Sequence, residues 1–76
     1  MYMVQNEIVE QVYAYIRAYI QEHTYPPTLK EIAAAHYMSR TNITRYLDRL
    51  QGMGRIARDP GRSRGITLLD DEISAK

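Results

Sequence analysis

The residues from Ser39 to Gln51, SRTNITRYLDRLQ, are the densest set of chemically capable side chains in this 76-residue sequence. On a helical wheel Ile43, Leu47 and Leu50 form one apolar stripe. The opposite side carries Thr41, Thr44, Arg45 and Asp48, flanked by Asn42 and Arg49. Those outward types can read base edges, since Arg pairs with guanine, Asn with adenine, and the Thr methyl meets that of thymine. An ordinary solvated face is the alternative, but such faces more often carry Glu and Lys. Ser39 suits the N-cap, because its hydroxyl can accept from an otherwise unpaired amide of the first turn.

The charge pattern supports an anionic partner. Net charge is only +1. Residues 1–38 set Arg17 and Lys30 against Glu7, Glu10, Glu22 and Glu31, a balance of −2. Residues 39–65 set seven arginines against Asp48 and Asp59, a balance of +5, and the tail returns to −2. A basic centre between acidic ends is the footprint of an anion-binding face. All seven central cations are Arg rather than Lys, which favours bidentate contacts to phosphate or guanine.

Other classes are poorly served. The 45% apolar and 25% charged content suits a globular chain with one small core. The absence of cysteine excludes disulfides and a thiolate zinc site, and His23 and His36 alone make no metal site. No nucleophile–base pair, carboxylate pair or phosphate-cradling glycine loop suggests an enzyme, and neither cofactor nor metal is expected. No apolar run reaches membrane-spanning length and no signal peptide opens the chain, so the expected setting is cytoplasmic.

The elements that must position the basic helix follow in chain order. A first helix is expected from about Asn6 to about Glu22, with Ile8, Val12 and Ile16 stacked and Val9, Tyr13, Tyr19 and Ile20 beside them. Its apolar sector is wide. Half-exposed tyrosines explain that width; a second contact through Tyr15, Tyr19 and the Met1-Tyr2-Met3-Val4 lead, such as a homodimer seam, is the sharper explanation. Pro26 and Pro27 break the helix, and Thr28-Leu29-Lys30-Glu31 is a capping box opening a short second helix that ends near Ala35. His36-Tyr37-Met38 is the turn, so the second and third helices form a helix-turn-helix. A positive φ at Tyr37 would cost about 1–2 kcal/mol, and His36 is expected to be partly buried. Gly52-Met53-Gly54 closes the third helix, one glycine taking the left-handed position. Arg55-Ile56-Ala57-Arg58 and Ile66-Thr67-Leu68 then read as a hairpin around Asp59–Gly65. The expected fold is mainly α with a small β-hairpin, a three-helix winged helix-turn-helix over residues 1–69, with 70–76 a frayed tail.

Tyr25-Pro26-Pro27-Thr28 with Glu31-Ile32-Ala33, and Ile56-Ala57-Arg58-Asp59-Pro60 with Arg62-Ser63-Arg64-Gly65-Ile66, resemble the LexA repressors. The middle, from Met38-Ser39-Arg40-Thr41 to Gly54-Arg55-Ile56, is similar to winged-helix regulators more broadly, and the likeness spans about residues 8 to 69. It implies that the third helix enters the major groove of double-stranded DNA. Ser39, Arg40, Thr41, Asn42, Thr44, Arg45 and Arg49 would then lie at its DNA face, and Arg58, Arg62, Ser63 and Arg64 in the wing. Thr28 and Ser39 would leave first-turn amides for phosphates. Two departures stand out. The self-cleaving Ser/Lys peptidase and dimerisation domain of LexA repressors is not expected from these 76 residues, since Ser74 and Lys76 in the tail are no dyad. His36-Tyr37 also replaces the usual apolar residue and glycine of the turn. The expected function is sequence-specific DNA binding by a repressor-type regulator, and the alternative is a winged helix used for protein–protein interaction.

Overall fold

The computed structural model describes residues 5–69; the Met1–Val4 lead and the tail expected to fray lie outside the described residues. Three helices precede a two-stranded antiparallel sheet: α1 Gln5–His23, α2 Leu29–Ala35, α3 Arg40–Gly52, β1 Ile56–Arg58 and β2 Ile66–Leu68. This is the expected winged arrangement, with α1 one residue longer at each end than its periodicity suggested.

The core joins every element. Val9, Val12, Tyr13 and Ile16 of α1 meet Ile32 and Ala33 of α2, Ile43, Leu47 and Leu50 of α3, and Ile56 and Ile66 of the strands. Each fully buried aliphatic side chain contributes about 1.5–3 kcal/mol relative to an exposed one. Tyr15, Tyr19 and Ile20 are half-buried at the edge of the α1 sector, so much of its width is used inside the chain itself.

The helix boundaries follow local chemistry. Thr24 leaves α1 at φ +66, and Pro26 and the buried Pro27 keep the following segment out of the helix. The capping box is present: Glu31 N–H donates to Thr28 Oγ1 at 3.1 Å, and Thr28 N–H donates to Glu31 Oε1 at 2.9 Å. Ser39 caps α3 by accepting from Asn42 N–H at 3.1 Å.

Both helices of the helix-turn-helix end in the same way. After α2, Tyr37 N–H donates to Ala34 O and Met38 N–H to Ala33 O; after α3, Gly54 N–H donates to Gln51 O and Arg55 N–H to Leu50 O. These paired bonds are Schellman closures, which place one residue in the left-handed region. Gly54 takes that position after α3 at φ +77, and Tyr37 takes it after α2 at φ +55. Tyr37 is 96% exposed, so burial of its ring offsets none of the strain. His36 is half-buried, its Nδ1 2.8 Å from Ile32 O and its ring edge-on to Tyr15.

In the hairpin Ile56 pairs with Leu68, Ala57 with Thr67 and Arg58 with Ile66. Strand alternation puts Ile56, Arg58, Ile66 and Leu68 on one face, turned toward the helices. Ile56 and Ile66 therefore root the wing in the core, and Arg58 is carried to the same side.

Candidate nucleic-acid interface

Burial of Ile43, Leu47 and Leu50 fixes the rotation of α3 and leaves Arg40, Thr41, Asn42, Arg45 and Arg49 exposed. Asn42, Arg45, Tyr46 and Arg49 line one depression on the helix. Tyr46, half-buried against the core, was absent from the sequence-based set. Its position three or four residues from Asn42 and Arg49 places it on their face, a signal that the spacing did carry. Thr44 is half-buried, its hydroxyl donating to Arg40 O at 2.8 Å.

On the other side of α3 lies a cleft of about 560 Å³ between the helix and the wing. Leu29, Leu47, Pro60 and Ile66 supply apolar lining, and Thr44, Asp48, Gln51, Arg58, Arg62 and Ser63 supply polar lining. Expected residues from α3 and from the wing thus border one concave surface. Ser39 and Thr28 stand at the first turns of α3 and α2 with their hydroxyls already accepting from backbone amides.

The seven arginines do not share one role. Arg55 pairs with Glu10 and lies 3.9 Å over the Tyr13 ring, tying the start of β1 to α1. Arg58 donates through Nε to Gln51 Oε1 at 2.8 Å and through Nη2 to Asp48 Oδ1, which ties the wing to α3 and neutralises Asp48. Among the described residues, no side-chain partner meets the exposed guanidinium groups of Arg40, Arg45 and Arg62.

Arg64 departs most from the expected wing pattern. Its Nη1 and Nη2 lie 3.0 Å from Glu31 Oε1 and Oε2, Nη1 also donates to Pro26 O at 2.8 Å, and Tyr19 Oη is 3.3 Å away. The guanidinium stands 4.7 Å from the centre of the Tyr25 ring. The Arg64 hydrogen bonds, followed by the Thr28 amide and the Tyr19 hydroxyl, pull the Glu31 carboxyl from its ordinary 4.5 to about 2, against a smaller opposing effect of burial. The same pairing raises the Arg64 pKa. No sequence spacing predicts this contact, because its partners lie 33 to 45 positions away.

The family model for the LexA DNA binding domain matches residues 5–65. The LexA repressor of Geobacter metallireducens is 39% identical over 66 residues, 86% of this chain and 31% of that protein. That of Clostridium acetobutylicum is 34% identical over 74 residues, 96% of this chain and 36% of the relative. LexA repressor 1 of Geobacter sulfurreducens is 43% identical over 61 residues, covering 79% and 30%. The chain spans about a third of the length of these relatives. With a family match across most of its length, on a three-helix winged fold, the chain belongs to the LexA DNA-binding domain family.

Proposed function

We propose that this chain binds double-stranded DNA sequence-specifically and serves as a transcriptional regulator of the repressor type. Helix α3 enters the major groove, and the wing follows the backbone or enters the minor groove. The observation that carries this reading is the setting of Arg45. It stands exposed on the outward face of a capped, rigidly rooted helix, beside Asn42 and Arg49 in one depression. The guanidinium and the amide are suited to guanine and adenine respectively. Arg40 in the first turn of α3 and Arg62 in the wing add exposed cations to this surface, and the repressors named above supply the regulatory reading.

The reading makes DNA the partner and places the chain in the compartment that holds DNA, here the cytoplasm. No helix of the described residues is long and apolar enough to cross a membrane. Catalysis has no part in it. A homodimer through α1 would draw on the half-buried Ile8, Tyr15, Tyr19 and Ile20, because Val9, Val12, Tyr13 and Ile16 already belong to the core. Sedimentation over a broad concentration range tests that assembly. The protein-interaction alternative predicts no preference among duplexes.

Selection from random-sequence duplex DNA, with the bound stoichiometry measured, tests the central proposal. A recovered consensus supports it, and an inverted repeat with half-sites about one helical turn apart supports the dimer. Recovery of sequences no different from the starting pool would overturn it.

A further inference from the structure

A two-stranded hairpin of three-residue strands is too small to hold its own orientation. Ile56 and Ile66 root its base, but the loop from Asp59 to Gly65 extends beyond them. Within that loop Asp59 N–H donates to Gly65 O, Arg62 N–H to Asp59 O, and Gly61 N–H to Asp59 Oδ1. These bonds give the loop a shape without fixing where it sits. Arg58 holds one side of the wing to α3, and Arg64 holds the other side to the end of α1, the Pro26 carbonyl and the start of α2. Arg62 lies between these two attachments, exposed and without a side-chain partner among the described residues.

We infer that Arg64 is a positioning residue for DNA recognition, clamped to Glu31 so that the wing presents Arg62, and that it does not itself contact DNA. The inference rests on the DNA-binding reading above and gives the wing arginines two different jobs. Three observations separate it from an incidental surface ion pair, which ordinarily contributes little. The contact is a two-point fork on a carboxylate, the geometry that fixes orientation as well as distance. The same guanidinium reaches a backbone carbonyl and lies against the Tyr25 ring. Glu31 is itself immobilised, because its Oε1 accepts from the Thr28 amide in the capping box. The wing is thereby referenced to the start of α2, the other half of the helix-turn-helix.

The sign of one substitution distinguishes the two roles. If Arg64 were a DNA contact restrained by Glu31, Glu31→Gln would release it, remove a negative charge near DNA and strengthen binding. If the pair is a clamp, Glu31→Gln weakens binding, although glutamine still serves in a capping box. The test titrates the duplex recovered by selection with the full chain at several salt concentrations. Glu31→Gln and Arg64→Ala are each expected to weaken binding by roughly 3- to 30-fold, within the range of coupled neighbours. Together they should weaken it by less than the product of the two effects.

Arg64→Lys keeps the charge for a phosphate but loses the fork, so it should behave like Arg64→Ala rather than wild type. In an Arg62→Ala background, Arg64→Ala should leave the slope of log affinity against log salt unchanged, whereas a lost phosphate contact makes it shallower by about 0.9. Circular dichroism at the titration temperature confirms that each variant keeps its helices. Stronger binding by Glu31→Gln, or that further loss of slope, would overturn the clamp.

Hydrogen exchange on the DNA-free chain keeps the clamp testable apart from DNA binding. The Asp59 and Arg62 amides should exchange faster in Arg64→Ala, with the α3 amides unchanged. Unchanged exchange at the wing would sink the clamp even if the chain binds DNA, and a wild type that selects no duplex would sink the DNA reading while exchange still judged the clamp.

Discussion

Asp48 of α3 and Arg58 of β1 form an ion pair across the border between helix and wing, with Gln51 holding the same guanidinium through Nε. On a helix proposed to face DNA an acidic residue would repel phosphate, and here a neighbouring arginine balances its charge. The pair also holds back a cation that the wing would otherwise offer.

Replacing Asp48 by Asn should therefore loosen one of the two holds on Arg58, leaving the Gln51 bond, and remove a repulsive charge. Affinity for duplex of arbitrary sequence is expected to rise, and the salt dependence to steepen by up to about one unit. Filter-binding titrations across salt concentrations measure both. Weaker, equally salt-dependent binding to arbitrary duplexes would assign Asp48 a structural role only.

Arg45 is the expected base reader, and Arg45→Ala should cost roughly 1–3 kcal/mol on the selected duplex and relax preference at one position. Repeating the selection with the variant reads this directly. Equal weakening across all sequences would make Arg45 a phosphate contact instead.

The turn between α2 and α3 holds a correctable strain. Tyr37 occupies the left-handed position of a Schellman closure while almost fully exposed. Tyr37→Gly should relieve about 1–2 kcal/mol of strain and return about 0.4–1 kcal/mol to the freedom of the unfolded chain. A net gain near 1 kcal/mol raises the melting temperature of a domain this small by about 4–8 °C. A lower melting temperature would reveal an unrecognised contact of the ring.

The Glu31 carboxyl gives stability a defined acid limit. Its pKa in the fold is about 2, below the ordinary 4.5, so the ionised form stabilises the native state. That contribution is complete above pH 4.5 and is lost as pH falls toward 2. The difference in Tm between wild type and Glu31→Gln should be largest near neutrality and shrink through this window. A difference independent of pH would mean that charge is not what Glu31 contributes.

Much of this was legible in the sequence because it depends on local rules. The capping box at Thr28 and Glu31, the Ser39 cap, the buried stripe of Ile43, Leu47 and Leu50, and the two strands all lie within a few residues of their determinants. The left-handed Tyr37 was legible only as a cost attached to an unusual turn. The division of labour among the arginines was not legible. Arg55, Arg58 and Arg64 share a basic run with Arg62, yet their partners lie 45, 10 and 33 positions away and are chosen by packing. Composition registers a cation, but not which side of the hairpin carries it.

The Arg64 clamp also bears on the order in which the molecule assembles. Its partners precede it by 33 to 45 residues, whereas the helix caps and Schellman closures form over five residues or fewer. Closing the longer loops costs more chain entropy, and that cost must be met before the guanidinium finds its acceptors. The helices can therefore form a folding nucleus before the wing is docked. In such a sequence Arg64→Ala leaves the refolding rate nearly unchanged and accelerates unfolding, since its contacts are absent from the transition state. The residue that sets the posture of the wing would then govern how long the native state lasts, with little influence on how quickly it is reached.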